Sequence, residues 1–431
     1  MTRRRQRLVR LAILALLLAG LTAFLGGPTR PAPLDLAALG EGASVEQRGE
    51  LSVRVRALTD AEAREVLGGR LRPIGIQAVW IEVHNAGARG VRYLPILTDP
   101  DYFAPQEVAQ QLHGWLTPLT NAAIDARLAE TSMPLYVPPG GTARGFVYTH
   151  ADGGLKLINV GLLQADRAER FRFVARIPGR EYAVQRVDFA ALYGPDGRVD
   201  LDLEGLHERL KRLPCCVTNA AATGDGDPLN LVVVGEWVDT MFPFAGRGWR
   251  LNEPVDATSS LKMAKAFVLG SVYDTAPVSP LYLFGRYQDV AFQKARSSVS
   301  RRNHLRLWLA PFTVGGRSVW VGQISRDIGV KLTTASWYLT THRISPFVDE
   351  ERDYLLQDLM LTGLVERIGF SAGVGAATAE SGRTNLTRDP YVTDGLRLVV
   401  FLSDRLRSPL EVEFLPWERP PGLGATADLL N

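Results

Sequence analysis

The residues best suited to chemistry lie in one stretch of the chain, Ser279 to Asp353. This stretch holds two of the six histidines and three of the eight tryptophans, with arginine and aspartate between apolar, strand-like segments. Guanidinium groups bind anions, and imidazole and carboxylate groups can exchange protons. We therefore expect any binding or catalytic site to lie here.

The segment RNHLRLWLA alternates strictly between two kinds of side chain. As a strand, it places His304, Arg306 and Trp308 on one face and leucines on the other. Imidazole, guanidinium and indole on one face favour the floor of a cleft that binds an anionic or amphipathic ligand. The alternative is a polar face covered by a helix and compensated by buried ion pairs.

The segment THRISPFVDEERDYLLQDL predicts a helix, with Ser345 as N-cap and Pro346 at the first helical position. Asp349 and Asp353, four residues apart, share one face of that helix. The helix dipole alone favours acidic residues in the first turn, so these residues need no catalytic role to explain them. Their spacing matches no recognised metal-binding motif. The candidate acid–base residues are His304, His342, Asp349 and Asp353, and the candidate ligand-binding residues are Arg286, Asp289, Arg306, Trp308 and Arg343.

A structural alternative competes with this catalytic interpretation. Arg286, Asp289, Arg343, Asp349 and Arg352 could instead form an arginine–aspartate network that only holds the fold together. His342 with Asp349 and Asp353, joined by His304 or Asp289, could also form an oxygen/nitrogen metal site, but the spacing is no recognised metal motif and we assign no metal ligands. The sequence identifies no cofactor.

Other motifs are weaker. GFSAG at 369–373 matches the nucleophile-elbow pattern, but no histidine follows His342, so we interpret it as a flexible turn. Cys215 and Cys216 are adjacent and lack the spacing of a redox or zinc motif. A vicinal disulfide is open to them, although its ring departs from ordinary disulfide geometry. No Walker or dinucleotide-binding fingerprint occurs.

The N-terminus carries the clearest targeting signal. Five arginines between Arg3 and Arg10 precede an uncharged apolar run, residues 11–27. The run is intermediate between a spanning helix and a signal-peptide core, and no clear cleavage site follows it. We predict a single-pass anchor in the cell inner membrane, with the bulk of the chain periplasmic or otherwise extracytoplasmic. The net charge of +3 is nearly balanced, and without a basic stripe it predicts no nucleic-acid partner.

The predicted order of segments follows from changes of pattern along the chain. Residues 44–178 alternate with period two between turn signals, which favours an immunoglobulin-like β-sandwich, interrupted by helices over 105–115 and 120–130. Later, helices alternate with apolar strands in an α+β or α/β domain. The predicted segments are 1–10 (cytoplasmic), 11–27 (transmembrane helix), 28–43 (linker), 44–178 (sandwich), 179–228 (connector), 229–405 (mixed α/β domain) and 406–431 (tail).

Several segments of the second domain resemble one known family. They are DPLNLVVVG at 227–235, SPLYLFGRYQDVAFQK at 279–294, RNHLRLW at 302–308, VWVG at 319–322 and THRISPFVDEERD at 341–353. Together they resemble the LssY C-terminal domain family over residues 213–405. That module occurs in bacterial membrane-associated proteins, sometimes joined to DedA-like or PAP2-type lipid-phosphatase segments. The PAP2 motifs are absent from this chain, so the resemblance implies an envelope setting and no reaction.

These observations lead to two functional hypotheses. The first is a bacterial envelope protein that contacts the lipid bilayer through its N-terminal anchor and whose LssY C-terminal-like domain binds a ligand or an envelope or membrane-protein partner. The alternative is a hydrolase acting on an envelope phospholipid or glycan, with His304 and His342 as acid–base residues.

Overall fold

The computed structural model describes residues 35–114, 118–165, 167–178, 181–194, 197–253, 278–298, 301–332 and 340–421. The chain divides into two compact units, Met1–Gly179 and Arg180–Asn431. The predicted anchor at 11–27 lies outside the described residues. Among the described helices, none is long and apolar enough to cross a membrane.

The first unit contains two antiparallel sheets, with described strand orders β1-β2-β3-β6 and β5-β4-β7-β8. Their apolar faces share one core, to which Val53 and Ile81 contribute from the first sheet and Ile158 and Phe171 from the second. The strands are β1 Ser44–Arg48, β2 Leu51–Ala57, β3 Ile76–Asn85, β4 Val91–Leu94, β5 Tyr136–Val137, β6 Thr142–His150, β7 Gly154–Leu163 and β8 Ala168–Ile177.

Helices of the first unit follow the start and stop signals of the sequence. Thr59 caps the first helix, and its hydroxyl accepts a hydrogen bond from the backbone of Glu62. The two helices predicted near 105–115 and 120–130 are present with slightly different ends. The helices are α1 Asp60–Leu67, α2 Pro95–Thr98, α3 Pro105–Leu112 and α4 Pro118–Glu130.

The second unit is built on a mixed sheet with the strand order β13-β16-β17-β18-β12-β23-β20-β24. The short central strand β12 runs parallel to β23 and antiparallel to β18. The strands are β9 Val199–Leu201, β10 Cys216–Thr218, β11 Asp225–Pro228, β12 Leu231–Val234, β13 Arg250–Leu251, β14 Tyr282–Leu283, β15 Arg286–Tyr287, β16 Val290–Ser298, β17 Arg301–Val314, β18 Arg317–Leu332, β19 Thr340–Ile344, β20 Val365–Ser371, β21 Arg383–Thr384, β22 Pro390–Tyr391, β23 Arg397–Leu402 and β24 Glu413–Phe414.

Helices pack against the two faces of this sheet. The helix α5 (Leu203–Lys211) places Leu206 and Leu210 in a core with Trp308 of β17. The helix α6 (Trp237–Gly246) and the helix α7 (Val348–Met360) lie on the opposite face, where Lys294 of β16 donates to Asp358 of α7. The mixed α+β class is therefore confirmed.

Sequence patterns located these strands but misjudged their extent. The segments RNHLRLWLA at 302–310 and VWVG at 319–322 lie within the longer strands β17 and β18, whose polar ends lack an apolar signal. GFSAG was wrongly interpreted as a turn, since Ser371 ends the buried strand β20 and is itself fully buried. The predicted N-cap is also wrong, because α7 begins at Val348, two residues late; the Ser345 hydroxyl accepts from the backbone of Phe347 instead.

Candidate functional site

The face of the sheet that carries Trp308 changes from apolar to polar along β17. Trp308 is fully buried in the core with α5, and the next residues on its face are Arg306 and His304. Their cross-strand neighbours on β18 are Gln323 and Ser325, and Gln293 of β16 lies opposite His304. The predicted alternation is confirmed, and the polar residues form a buried row.

His304 makes a short polar contact within this row. Its Nε2 lies 2.6 Å from Oδ2 of Asp327, and both side chains are more than nine-tenths buried. An ionised carboxylate only accepts hydrogen bonds, so a neutral imidazole must carry its proton on Nε2. This assignment leaves Nδ1 as the nitrogen with the lone pair.

Burial lowers the pKa of His304 well below its ordinary value of 6.5, and the charges of Arg302 and Arg306 add to this effect. The Asp327 carboxylate acts in the opposite direction. Its negative charge is already partly offset by Arg302, whose Nε lies 3.6 Å from the same oxygen. We therefore conclude that His304 is neutral at pH 7.

Arg306 extends the row toward a second group of buried polar residues. Its Nη1 donates to Oε1 of Gln323 at 2.9 Å, and its Nη2 donates to the backbone oxygen of Ser279 at 3.3 Å. Gln323 in turn donates to Asp227 at 3.3 Å, and Asn385 donates to the other Asp227 oxygen at 2.8 Å. Strand β18, strand β11 and the loop before β22 thus converge here.

Burial raises the pKa of Asp227, while the Asn385 hydrogen bond and the Arg306 charge act against that rise. Burial likewise lowers the pKa of Arg306, against the attraction of Asp227 and Asp327. We call the set of Arg302, His304, Arg306, Asp227 and Asp327 the polar cluster. It combines two guanidinium groups, two carboxyl groups and a neutral imidazole, and its guanidinium groups are the donors that could form charge-assisted hydrogen bonds with an added anion.

Arg286 and Asp289, predicted to bind ligand, form a closed ion pair. The guanidinium donates to both carboxylate oxygens of Asp289, at 2.8 and 2.9 Å. Its remaining donors reach the Tyr193 hydroxyl and the backbone oxygen of Leu309. These contacts fix the turn after β15 against β17, which supports a structural role.

Asp349 and Asp353 lie at the start of α7, around the buried Arg352. The Arg352 guanidinium donates to both oxygens of Asp394, at 2.7 and 2.9 Å. Asp349 accepts from the Thr393 hydroxyl and the Asp394 backbone, and burial raises its pKa against the effect of Arg352. The structure thus places Asp349 in an arginine–aspartate network and brings His304 to Asp327 instead.

The other predicted residues are dispersed. Trp308 is fully buried and donates its indole N–H to the backbone oxygen of Arg286 within the core. Arg343 is exposed on β19. His342 pairs with Val330 through the backbone, and its side chain lies outside the described residues.

Three important partners were missed by the sequence analysis. Gln323, Ser325 and Asp327 are two residues apart, so in a strand they lie on one face. Because Ser325 lies opposite His304, this periodicity could have predicted that Asp327 is near His304. Asp227 and Asn385 come from distant parts of the chain. They carry no local signal, because only the tertiary fold brings them to Gln323.

Cys215 and Cys216 are joined by a disulfide. The carboxylate of Asp225 lies across the β10–β11 hairpin from them, and the three side chains hold their metal-ligand atoms within 4.8 Å of one another. This group differs from the polar cluster in the ligands that it favours. Thiolates favour soft metal ions, whereas the guanidinium groups of the polar cluster favour anions.

Comparison with known families supports the assignment of the second unit. Residues 208–396 match the family model described as LssY C-terminus, which confirms the resemblance predicted from the sequence. No curated protein matches the chain.

Proposed function

We propose that the protein is a bacterial envelope protein whose second unit binds an anionic ligand at the polar cluster. In this proposal residues 11–27 form a single-pass inner-membrane anchor and the first unit is an immunoglobulin-like sandwich that acts as a spacer. The arginines before the apolar run and the match to the LssY C-terminus support the envelope setting.

The observation that carries the proposal is the environment of Arg306. Its hydrogen bonds go to the neutral oxygens of Gln323 and Ser279, whereas Arg286 and Arg352 each bind a carboxylate through two hydrogen bonds. A bidentate carboxylate pair satisfies a buried guanidinium in the fold itself. Arg306 makes no such bidentate pair in the described part of the chain, although Asp227 and Asp327 lie near it, so an added anion can compete for its donors. Arg302 lies on the same face.

The geometry favours a phosphate or carboxylate group as the ligand. Both present planar arrays of oxygens that match a guanidinium fork. In the envelope such a group could belong to a phospholipid headgroup or to an acidic glycan. A comparison of headgroup analogues with free phosphate and uronic acids separates these sources.

The first test is a thermal-shift panel on the full-length chain with phosphate, glycerophosphate and glucuronate. A ligand present at 100 times its Kd stabilises the folded state by about 2.7 kcal/mol. We expect at least one of these anions to raise Tm for the wild type and for Arg405→Gln, an exposed control, but not for Arg306→Gln. Equal shifts in all three proteins would contradict the proposal.

A hydrolase is the second candidate, because His304 and Asp327 resemble a catalytic base and the carboxylate that orients it. The neutral imidazole, with its lone pair on Nδ1, could accept a proton from water while Arg302 and Arg306 hold the anionic group. Hydrolysis of a phosphoester and carboxylester panel, with and without divalent metals, tests this idea. Turnover lost in both His304→Gln and His342→Ala would support the acid–base pair predicted from the sequence.

A further inference from the structure

The hairpin β10–β11 carries sulfur and carboxylate groups that the anion-binding proposal does not use. Cys215 is half-buried, Cys216 is buried, and Asp225 is exposed on the opposite strand. The Cys215 sulfur lies 4.0 Å from Oδ2 of Asp225, and the Cys216 sulfur lies 3.6 Å from the Tyr391 hydroxyl. The group therefore has one side open to solvent.

The backbone around the cysteines is held firmly by other parts of the second unit. Leu229 donates to the backbone oxygen of Cys215 at 2.8 Å, and the buried Arg397 donates to that of Pro214. Thr218 pairs with Asp225 and Cys216 pairs with Pro228 across the hairpin. These contacts hold the backbone of the three residues in place, so the sulfurs and the carboxylate stay near one another whether or not the sulfurs are bonded.

We propose that the reduced form of this pair, with Asp225, binds a thiophilic divalent metal ion such as Zn²⁺ or Cd²⁺. Thiolates select such metals, and a carboxylate is an accepted third ligand. Zn–S bonds of about 2.3 Å place tetrahedral ligand atoms about 3.7 Å apart. The three ligand atoms already lie within 4.8 Å of one another, so small side-chain movements complete the set once reduction lets the two bonded sulfurs separate to this spacing.

The site forms in two balanced steps. A dithiol reductant transfers two electrons and two protons to the disulfide, so that the protein gains two thiols and the reductant becomes the disulfide. The metal then displaces the two thiol protons and binds two thiolates and the Asp225 carboxylate. The bound site carries a net charge of −1 and keeps a fourth position for water.

The test is titration of the reduced full-length chain with Cd²⁺, following the ultraviolet thiolate-to-metal charge-transfer band and the protons released. We expect one Cd²⁺ and two protons per chain for the reduced wild type and no band for the oxidised protein. Asp225→Asn should weaken binding by about tenfold or more, since one ligand and one negative charge are lost.

Asp225 is exposed, so its substitution leaves the fold intact even if Cys215→Ser or Cys216→Ser does not fold. Asp404→Asn, another exposed aspartate of this unit, is the matched control and should bind as the wild type does. A reduced wild type without a Cd²⁺ band would overturn the proposal. So would an Asp225→Asn variant with unchanged affinity.

Discussion

Arg306 donates a 2.9 Å hydrogen bond to Gln323, its direct neighbour across the antiparallel strands β17 and β18. The pair lies where one face of the sheet turns from the apolar core around Trp308 to the polar cluster. A buried guanidinium with a neutral acceptor is less fully compensated than one paired with a carboxylate. This relationship is the basis of the anion-binding proposal.

The buried His304 predicts a loss of stability in acid. Because its pKa is lowered in the folded state, the unfolded chain binds a proton first as the pH falls below 6.5. The stabilisation is fully present above that pH and is lost below it, at up to about 1.4 kcal/mol per pH unit. Urea unfolding at several pH values should therefore show a steeper acid loss for the wild type than for His304→Gln.

Glutamine is the matched replacement, because its amide can still donate to Asp327 but does not titrate. Parallel stability curves for the two proteins between pH 7 and pH 5 would show that His304 does not have the predicted lowered pKa.

Asp289→Ala should destabilise the protein strongly. It removes the carboxylate from a largely buried pair and leaves the Arg286 guanidinium without its main partner, which costs about 3–5 kcal/mol. The control is Glu181→Ala, whose ion pair with Arg186 is half exposed and should contribute less than about 1 kcal/mol. Chemical denaturation gives both values. Similar small losses would mean that the Arg286–Asp289 pair does not stabilise the fold as described.

The two acidic residues at the start of α7 should behave differently. Asp349→Ala removes the acceptor of the Thr393 and Asp394 hydrogen bonds, and should lower the free energy of unfolding by about 1–3 kcal/mol. Asp353→Ala removes a half-exposed carboxylate and should cost less than about 1 kcal/mol. If both variants keep wild-type stability but lose a measured hydrolytic activity, the catalytic interpretation would be preferred.

Asn385 should anchor its loop to the polar cluster. Its amide donates to Asp227, and its oxygen accepts from the backbones of Thr387 and Asp389. Asn385→Ala should cost about 1–3 kcal/mol and speed amide hydrogen exchange in residues 385–389. Asn219→Ala, in an exposed turn, is the control and should change neither quantity by as much. Unchanged exchange in the Asn385 variant would contradict the anchoring role.

Strands, and the faces on which their residues lie, could be predicted from the sequence because both depend on local periodicity. The period-two alternation over residues 44–178 predicted the strands of the first unit, and the alternation of His304, Arg306 and Trp308 predicted the polar face of β17. The sequence could not predict that Asp227 and Asn385 would meet Gln323, since those contacts depend on long-range folding. It also grouped His304 with Asp349, although the structure pairs His304 with Asp327 and Asp349 with the Arg352 network.

The central claim is that the polar cluster binds an anion through Arg306. Isothermal titration calorimetry of the full-length chain, with the anion that gives the largest thermal shift, tests it most directly. We predict one site per chain, with affinity reduced about tenfold or more in Arg306→Gln and unchanged in Arg405→Gln, because a charge-assisted hydrogen bond contributes about 1.5–3 kcal/mol. Equal affinities of the wild type and Arg306→Gln would contradict the account.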